Sequence, residues 1–321
     1  MRSVPLLLAG VVFMGCGDDS DSIDGGADVL VSDASIDVSG DTDASSVDAG
    51  SLDGASLDAA SIDAGPGPDA GPSSSRGAGG LSCERMGNVE GMSYCVANVA
   101  GVELKLIEPE DTSGPMDLAI YLHGDGARAY EGDTALRTQA PWTVTRRTLY
   151  VAARAPNTCA WWLRPEYTAC DGTGTEANVD VEGDNAQALV EVIEALRDAY
   201  DLRFDPILFS GSSGGAVFLT GSFLPLHGDE YRGAYALGCG GFAPYADFTW
   251  ETTRDNQGST FLYFTYGDAD VFRPDIEAGI EAYRTLDFGL DVELREGGVA
   301  HCAFDHIGWV TETWERYAEG I

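Results

Sequence analysis

Residues 207–224, ILFSGSSGGAVFLTGSFL, constrain the fold of this chain more than any other stretch. A short apolar run, Ile207, Leu208 and Phe209, enters Gly211-Ser212-Ser213-Gly214-Gly215 and leaves into an apolar segment of helix length. Strand, sharp turn and helix in that order make a nucleophile elbow with Ser213 at its apex, because glycines let strand and helix close on either side of a strained residue. The turn also puts the Gly214 N–H at the start of a helix, where it can donate to a developing oxyanion. In a chain with 41 glycines the pentapeptide alone also reads as a Gly/Ser turn before a core helix, so its meaning rests on the surrounding sequence.

That surrounding sequence is a candidate domain over 81–321, roughly 240 residues, enough for one sizeable core. Apolar, strand-like runs recur at 102–107, 118–122, 148–152, 207–209, 233–237, 261–266 and 290–294. Helical patterns lie at 184–200, 216–224, 274–286 and 304–318. Strands alternating with helices predict an α/β fold with a mostly parallel sheet covered on both faces. Ligands of such sheets bind at the carboxyl ends of the strands.

Each informative polar cluster follows a strand. His123-Gly124-Asp125-Gly126 follows 118–122 and offers a glycine-rich backbone for a second oxyanion N–H, from Gly124, Asp125 or Gly126. Gly267-Asp268-Ala269-Asp270 follows 261–266; one carboxylate is placed to orient an imidazole while the other caps a helix or makes a turn. Gly297-Gly298-Val299-Ala300-His301 follows 290–294. Of the four histidines, His123 precedes the nucleophile and suits a structural hydrogen bond, His227 lies beside Pro225 in an expected surface loop, and His306 is expected solvated or capped in the last helical pattern. His301 is therefore the candidate general base. The chain order Ser, Asp, His is that of α/β-hydrolases.

The N-terminus points to export. Arg2 precedes an apolar run, Val4 to Met14, too short to span a bilayer, which ends at Gly15-Cys16. It resembles a bacterial lipoprotein signal with Cys16 as the lipidated residue, although Phe13 and Met14 depart from the usual pattern, and cleavage without lipid is the alternative. The expected location is the cell envelope, or the exterior without lipid, with the membrane touched only through Cys16. Residues 17–80 form a low-complexity tether with fourteen Asp and no basic residue before Arg76. Such a composition buries too little apolar surface to offset its ordering entropy, which predicts a disordered, self-repelling spacer. A calcium-binding repeat needs ligands at fixed spacing, and the spacing here wanders. Residues 81–321 still hold 39 acidic against 16 basic residues, a net charge of −23, which excludes nucleic-acid functions.

Seven cysteines less Cys16 leave six, an even number in an exported chain, which points to disulfides. The sequence-local pairs are Cys83 with Cys95 across a hairpin and Cys159 with Cys170 around Trp161 and Trp162, leaving Cys239 with Cys302; fifteen pairings are open in principle. No Cys/His spacing suits zinc, and the chemistry asks for no metal or cofactor. Trp161 and Trp162 read either as an aromatic substrate wall or as packing of that loop. Trp309 and Trp314 sit on the expected inner face of the last helix.

Residues 180–200 with Asp205 and the elbow, together with Leu122-His-Gly124, Gly267-Asp-Ala-Asp270 and Gly298-Val-Ala-His301, resemble the polyhydroxybutyrate depolymerase and feruloyl esterase branch of the α/β-hydrolases over most of 116–305. The resemblance implies a secreted serine esterase with Ser213, Asp270 and His301 as its triad, acting on ester substrates that include polymeric ones. His301-Cys302 is similar to esterases that tie the histidine loop to the nucleophile by a disulfide; Ser212 replaces the usual cysteine, so Cys239 becomes the candidate partner. Two other readings fit the same residues: a peptidase or thioesterase on this fold, and a surface binding protein that has lost its chemistry.

Overall fold

The computed structural model describes residues 74–168, 176–253, 257 and 259–320. The signal segment, Cys16, most of the tether and Cys170 lie outside these residues. Among the described residues nine strands make one sheet: β1 (Arg85–Val89), β2 (Met92–Val99), β3 (Val102–Ile107), β4 (Met116–Leu122), β5 (Thr148–Ala153), β6 (Leu202–Ser212), β7 (Gly233–Gly238), β8 (Phe261–Gly267) and β9 (Gly289–Arg295). Their order is β1-β2-β3-β5-β4-β6-β7-β8-β9. The first three form an antiparallel meander whose last strand pairs antiparallel with β5, and from β5 onward every pair is parallel.

Alternation along the strands divides the core in two. Leu118, Ile120 and Leu122 of β4 and Phe209 of β6 belong to one cluster, while Ala119, Tyr121 and Leu208 belong to the other. Successive side chains of a strand point to opposite faces, so a strand covered on both sides reads as an unbroken apolar run. The first face is covered by α3 (Asp184–Ala199), α4 (Gly214–Phe218) and α6 (Arg273–Thr285). The second is covered by α2 (Thr134–Val144), which follows the single-turn α1 (Arg128–Glu131), and by α7 (His306–Glu319). Trp309 and Trp314 are buried on this second face, as their spacing predicts.

Helix α3 shows how sequence and packing agree. Leu189, Val192, Ile193 and Leu196 recur at helical spacing and are all fully buried, each contributing about 2 kcal/mol of transfer free energy. The Asp180 carboxylate accepts the N–H groups of Gly183, Asp184 and Asn185, satisfying donors the first turn cannot pair internally. Residues 74–80, counted with the tether by composition, are seated on the sheet: the Ser75 hydroxyl donates to Tyr200 O and accepts from Leu202 N–H.

The helix expected at 216–224 is interrupted. After α4 the chain makes a π-helical stretch, Leu219–Phe223, before α5 (Leu224–His227). Pro225 has no N–H to return to Gly221, and the Gly221 carbonyl instead accepts from Tyr245 N and Ala246 N, anchoring a loop. Helix α2 is not announced by the sequence, because Pro141 lies inside it and its apolar stripe is weak. Among the described residues no helix is long and apolar enough to cross a membrane.

Candidate active site

Ser213 stands between the end of β6 and the start of α4 with φ 47° and ψ −114°, a conformation in which few residues other than glycine rest without strain. Its neighbours make that possible. A methyl group on Gly211 would meet Ala216 N at 2.6 Å, and one on Gly215 would meet Leu122 O at 2.4 Å, so strand, helix and the end of β4 approach as closely as backbones can. The Ser213 N–H donates to Gly238 O at 2.9 Å, fixing the elbow to β7.

The structure brings the other expected residues to this hydroxyl. Ser213 Oγ lies 2.9 Å from His301 Nε2, and His301 Nδ1 lies 2.9 Å from both oxygens of Asp270. The Asp270 side chain is fully buried and also accepts the Phe272 N–H at 2.9 Å, while the Phe272 ring meets the imidazole edge-on at 4.7 Å. Asp268, the other candidate, points away from the imidazole. It accepts N–H groups from Gly297, Gly298 and Val299 at 3.0, 2.9 and 2.7 Å, and the bonds from Gly298 and Val299 above all hold its carboxyl below the usual range. Asp268 therefore shapes the turn that presents His301, and Asp270 orients the ring.

Cys302 forms a disulfide with Cys239, so the segment after β7 and the histidine loop are joined beside the imidazole. Cys83 and Cys95 are bonded as expected. Cys159 is disulfide-bonded, and Cys170, its expected partner, lies outside the described residues. Ser212 accepts from the Tyr121 hydroxyl at 3.2 Å.

The glycine-rich loop after β4 reaches the elbow: a methyl group on Gly124 would stand 3.2 Å from Ser213 Cβ. His123 is fully buried, its Nδ1–H donating to Gly124 O and its Nε2 accepting the Ala155 N–H. Burial lowers its pKa to about 4 and keeps it neutral in that role. Of the three expected donors Gly126 is excluded, because its N–H is taken by Cys159 O at 2.9 Å. Among the described residues no acceptor takes the N–H of Gly124, Asp125 or Gly214, which leaves these three for an oxyanion.

Of the two readings of the tryptophans, packing is the one Trp161 follows. Trp161 is no wall: it is fully buried against Phe218 and His123, where a large indole yields most by filling core. Trp162 is 5% exposed, and its indole N–H donates to both Asp125 oxygens at 3.0 and 3.1 Å. Asp125 itself is exposed to solvent, yet the protein mass around it raises its pKa to about 6, against the lowering effects of the Trp162 bond and of His301. The residues that hold this loop are singled out by no motif legible in the sequence. The Asn157 side chain binds five backbone groups between Cys159 and Arg164, and the Asn185 amide donates to Trp161 O and Leu163 O. Asn157 before a Thr-Cys turn was the one local sign of such an Asx arrangement.

His227, expected in a surface loop, ends α5 half-buried with its ring 5.7 Å from Phe223, and His306 opens α7 half-buried with its Nδ1 bonded to Phe304 O, in keeping with the capped reading. Neither approaches Ser213.

The strand order, the elbow after β6, the acid after β8 and the base after β9 define the α/β-hydrolase fold. No protein-family model and no curated protein matches the chain by sequence. Similar solved structures include an S-formylglutathione hydrolase from Agrobacterium tumefaciens, 12% identical over 74% of this chain and 99% of that one, with a TM-score of 0.49. A thermostable esterase is 15% identical over 74% and 61% of the two chains, TM-score 0.47. A putative dipeptidyl aminopeptidase IV from Bacteroides ovatus is 11% identical over 73% and 36%, TM-score 0.46.

Proposed function

We propose that this protein is a serine esterase that cleaves carboxylic esters through an acyl-enzyme. The observation that carries the reading is the unbroken relay from Ser213 Oγ through His301 to the buried Asp270 carboxylate, with backbone N–H groups beside it that no described residue accepts. His301 Nε2 takes the Ser213 proton as the oxygen attacks the ester carbonyl, and Asp270 holds the tautomer that leaves Nε2 free to accept it. The N–H groups of Gly214 and of the loop at Gly124 and Asp125 receive the oxyanion, His301 returns the proton to the leaving alcohol, and water repeats the sequence on the acyl-serine. The resemblance to the polyhydroxybutyrate depolymerase and feruloyl esterase branch directs the substrate search to polysaccharide esters and polyesters. Sequence supports export with a lipid anchor at Cys16.

The test is hydrolysis of p-nitrophenyl acetate and methyl ferulate by the purified chain, with Ser213→Ala as control. Turnover that falls by about 10³-fold or more in the variant, together with covalent labelling of Ser213 by a fluorophosphonate, is expected. Equal activity in the variant overturns the assignment.

A further inference from the structure

Asp125 has a side chain that the reaction above does not use and that, for most esters, works against it. A methyl group on Gly214 would meet Asp125 Oδ1 at 1.9 Å and Trp162 Cδ1 at 3.0 Å, so the carboxylate lies against the peptide whose N–H faces the oxyanion. Gly214 is glycine to make room for it. An anion at that place opposes the negative charge that develops on the carbonyl oxygen. Its surroundings offset it only in part: among the described residues its hydrogen-bond partner is the neutral indole of Trp162, no lysine or arginine pairs with it, and the nearby imidazole of His301 is the group whose charge favours it.

The carboxylate is nonetheless built in. Trp162, which holds both oxygens, is fixed through its own carbonyl by the Asp180 N–H at 3.0 Å, and its neighbours Trp161 and Leu163 are fixed by Asn185. Asp125 is exposed to solvent, so the remaining lone pairs are open to a bound molecule. The whole chain carries a net charge of −35, a field that concentrates cations at its surface.

We propose that Asp125 is a specificity determinant: its carboxylate, oriented by Trp162 beside Gly214, receives a cationic group of the substrate. The preferred esters carry an ammonium near the scissile carbonyl. That cation neutralises the charge beside the oxyanion and brings its own binding energy, while neutral esters leave that anion paired by no substrate charge. The inference rests on the hydrolase reading for its substrate class, and its test does not depend on turnover.

The experiment measures calorimetric binding to the full chain carrying Ser213→Ala, using two isosteric pairs. Acetylcholine is compared with the ester in which carbon replaces its quaternary nitrogen, and betaine methyl ester with its corresponding carbon isostere. The first pair places the cation on the alcohol side and the second on the acyl side. In one pair the cation binds about tenfold tighter than its isostere, the scale of one partly buried ion pair, since a quaternary ammonium has no N–H to donate, and adding Asp125→Asn abolishes the difference. Equal binding within both pairs, or a preference that survives Asp125→Asn with circular dichroism unchanged, overturns the proposal. Equal activity of Ser213→Ala, the outcome that overturns the esterase reading, leaves this binding measurement intact, so the two readings fail separately.

Discussion

Asp268 and Asp270 stand two residues apart and do different work, which is testable by the same substitution at each. Asp270→Asn keeps the shape but offers the imidazole an amide, which stabilises the wrong tautomer; kcat is expected to fall about 10³- to 10⁴-fold. Asp268→Asn can no longer accept three backbone N–H groups as a carboxylate. The turn before His301 loosens, and a displacement of an ångström or less lowers kcat about tenfold to a hundredfold. Steady-state kinetics of both variants on p-nitrophenyl acetate check the order; an Asp268 variant that is the more damaged would reverse the roles.

Two disulfides act on different elements. Cys83–Cys95 ties the chain before β1 to β2, far in sequence from the elbow, with a separation of 12 residues. Cys239–Cys302 spans 63 residues and joins the loop after β7 to the one that carries His301. Loop-closure entropy assigns them about 3 and about 4 kcal/mol of stability respectively. Replacing Cys83 and Cys95 by serine is expected to lower the denaturation midpoint with kcat unchanged. Replacing Cys239 and Cys302 is expected to lower both, since the imidazole loses the anchor next to it. Guanidinium titration alongside kinetics separates the two effects.

Stability of the whole molecule responds to acid through His123. Its folded pKa of about 4 lies below the ordinary value of 6.5, so between those values the unfolded chain binds a proton that the folded chain excludes. The stabilisation is complete above pH 6.5 and is lost as pH falls from there toward 4, by about 3 kcal/mol in all. Urea titrations at intervals across that range are expected to show the decline, and His123→Gln, which carries one donor and one acceptor without titrating there, is expected to flatten it. A decline of the same size in the variant would assign it to the carboxylates.

The pattern of the sequence by itself determined the α/β architecture, because a sheet buried on both faces demands unbroken apolar strands and amphipathic covers, and both periodicities are local. It also determined the elbow and the order of serine, acid and base, since chemistry of this kind sits where strands end. Tertiary structure decided what those patterns leave open. Which of Asp268 and Asp270 meets the imidazole depends on the path of the turn at 297–299, and the loss of Gly126 as a donor depends on the carbonyl of Cys159, 33 residues away. Trp161 and Trp162, adjacent in sequence, part into core and site because Asn157, Asp180 and Asn185 bend their loop around them. The charge of Asp125 is plain in the sequence, but its place against Gly214 arises only when the ends of β4 and β6 are packed side by side.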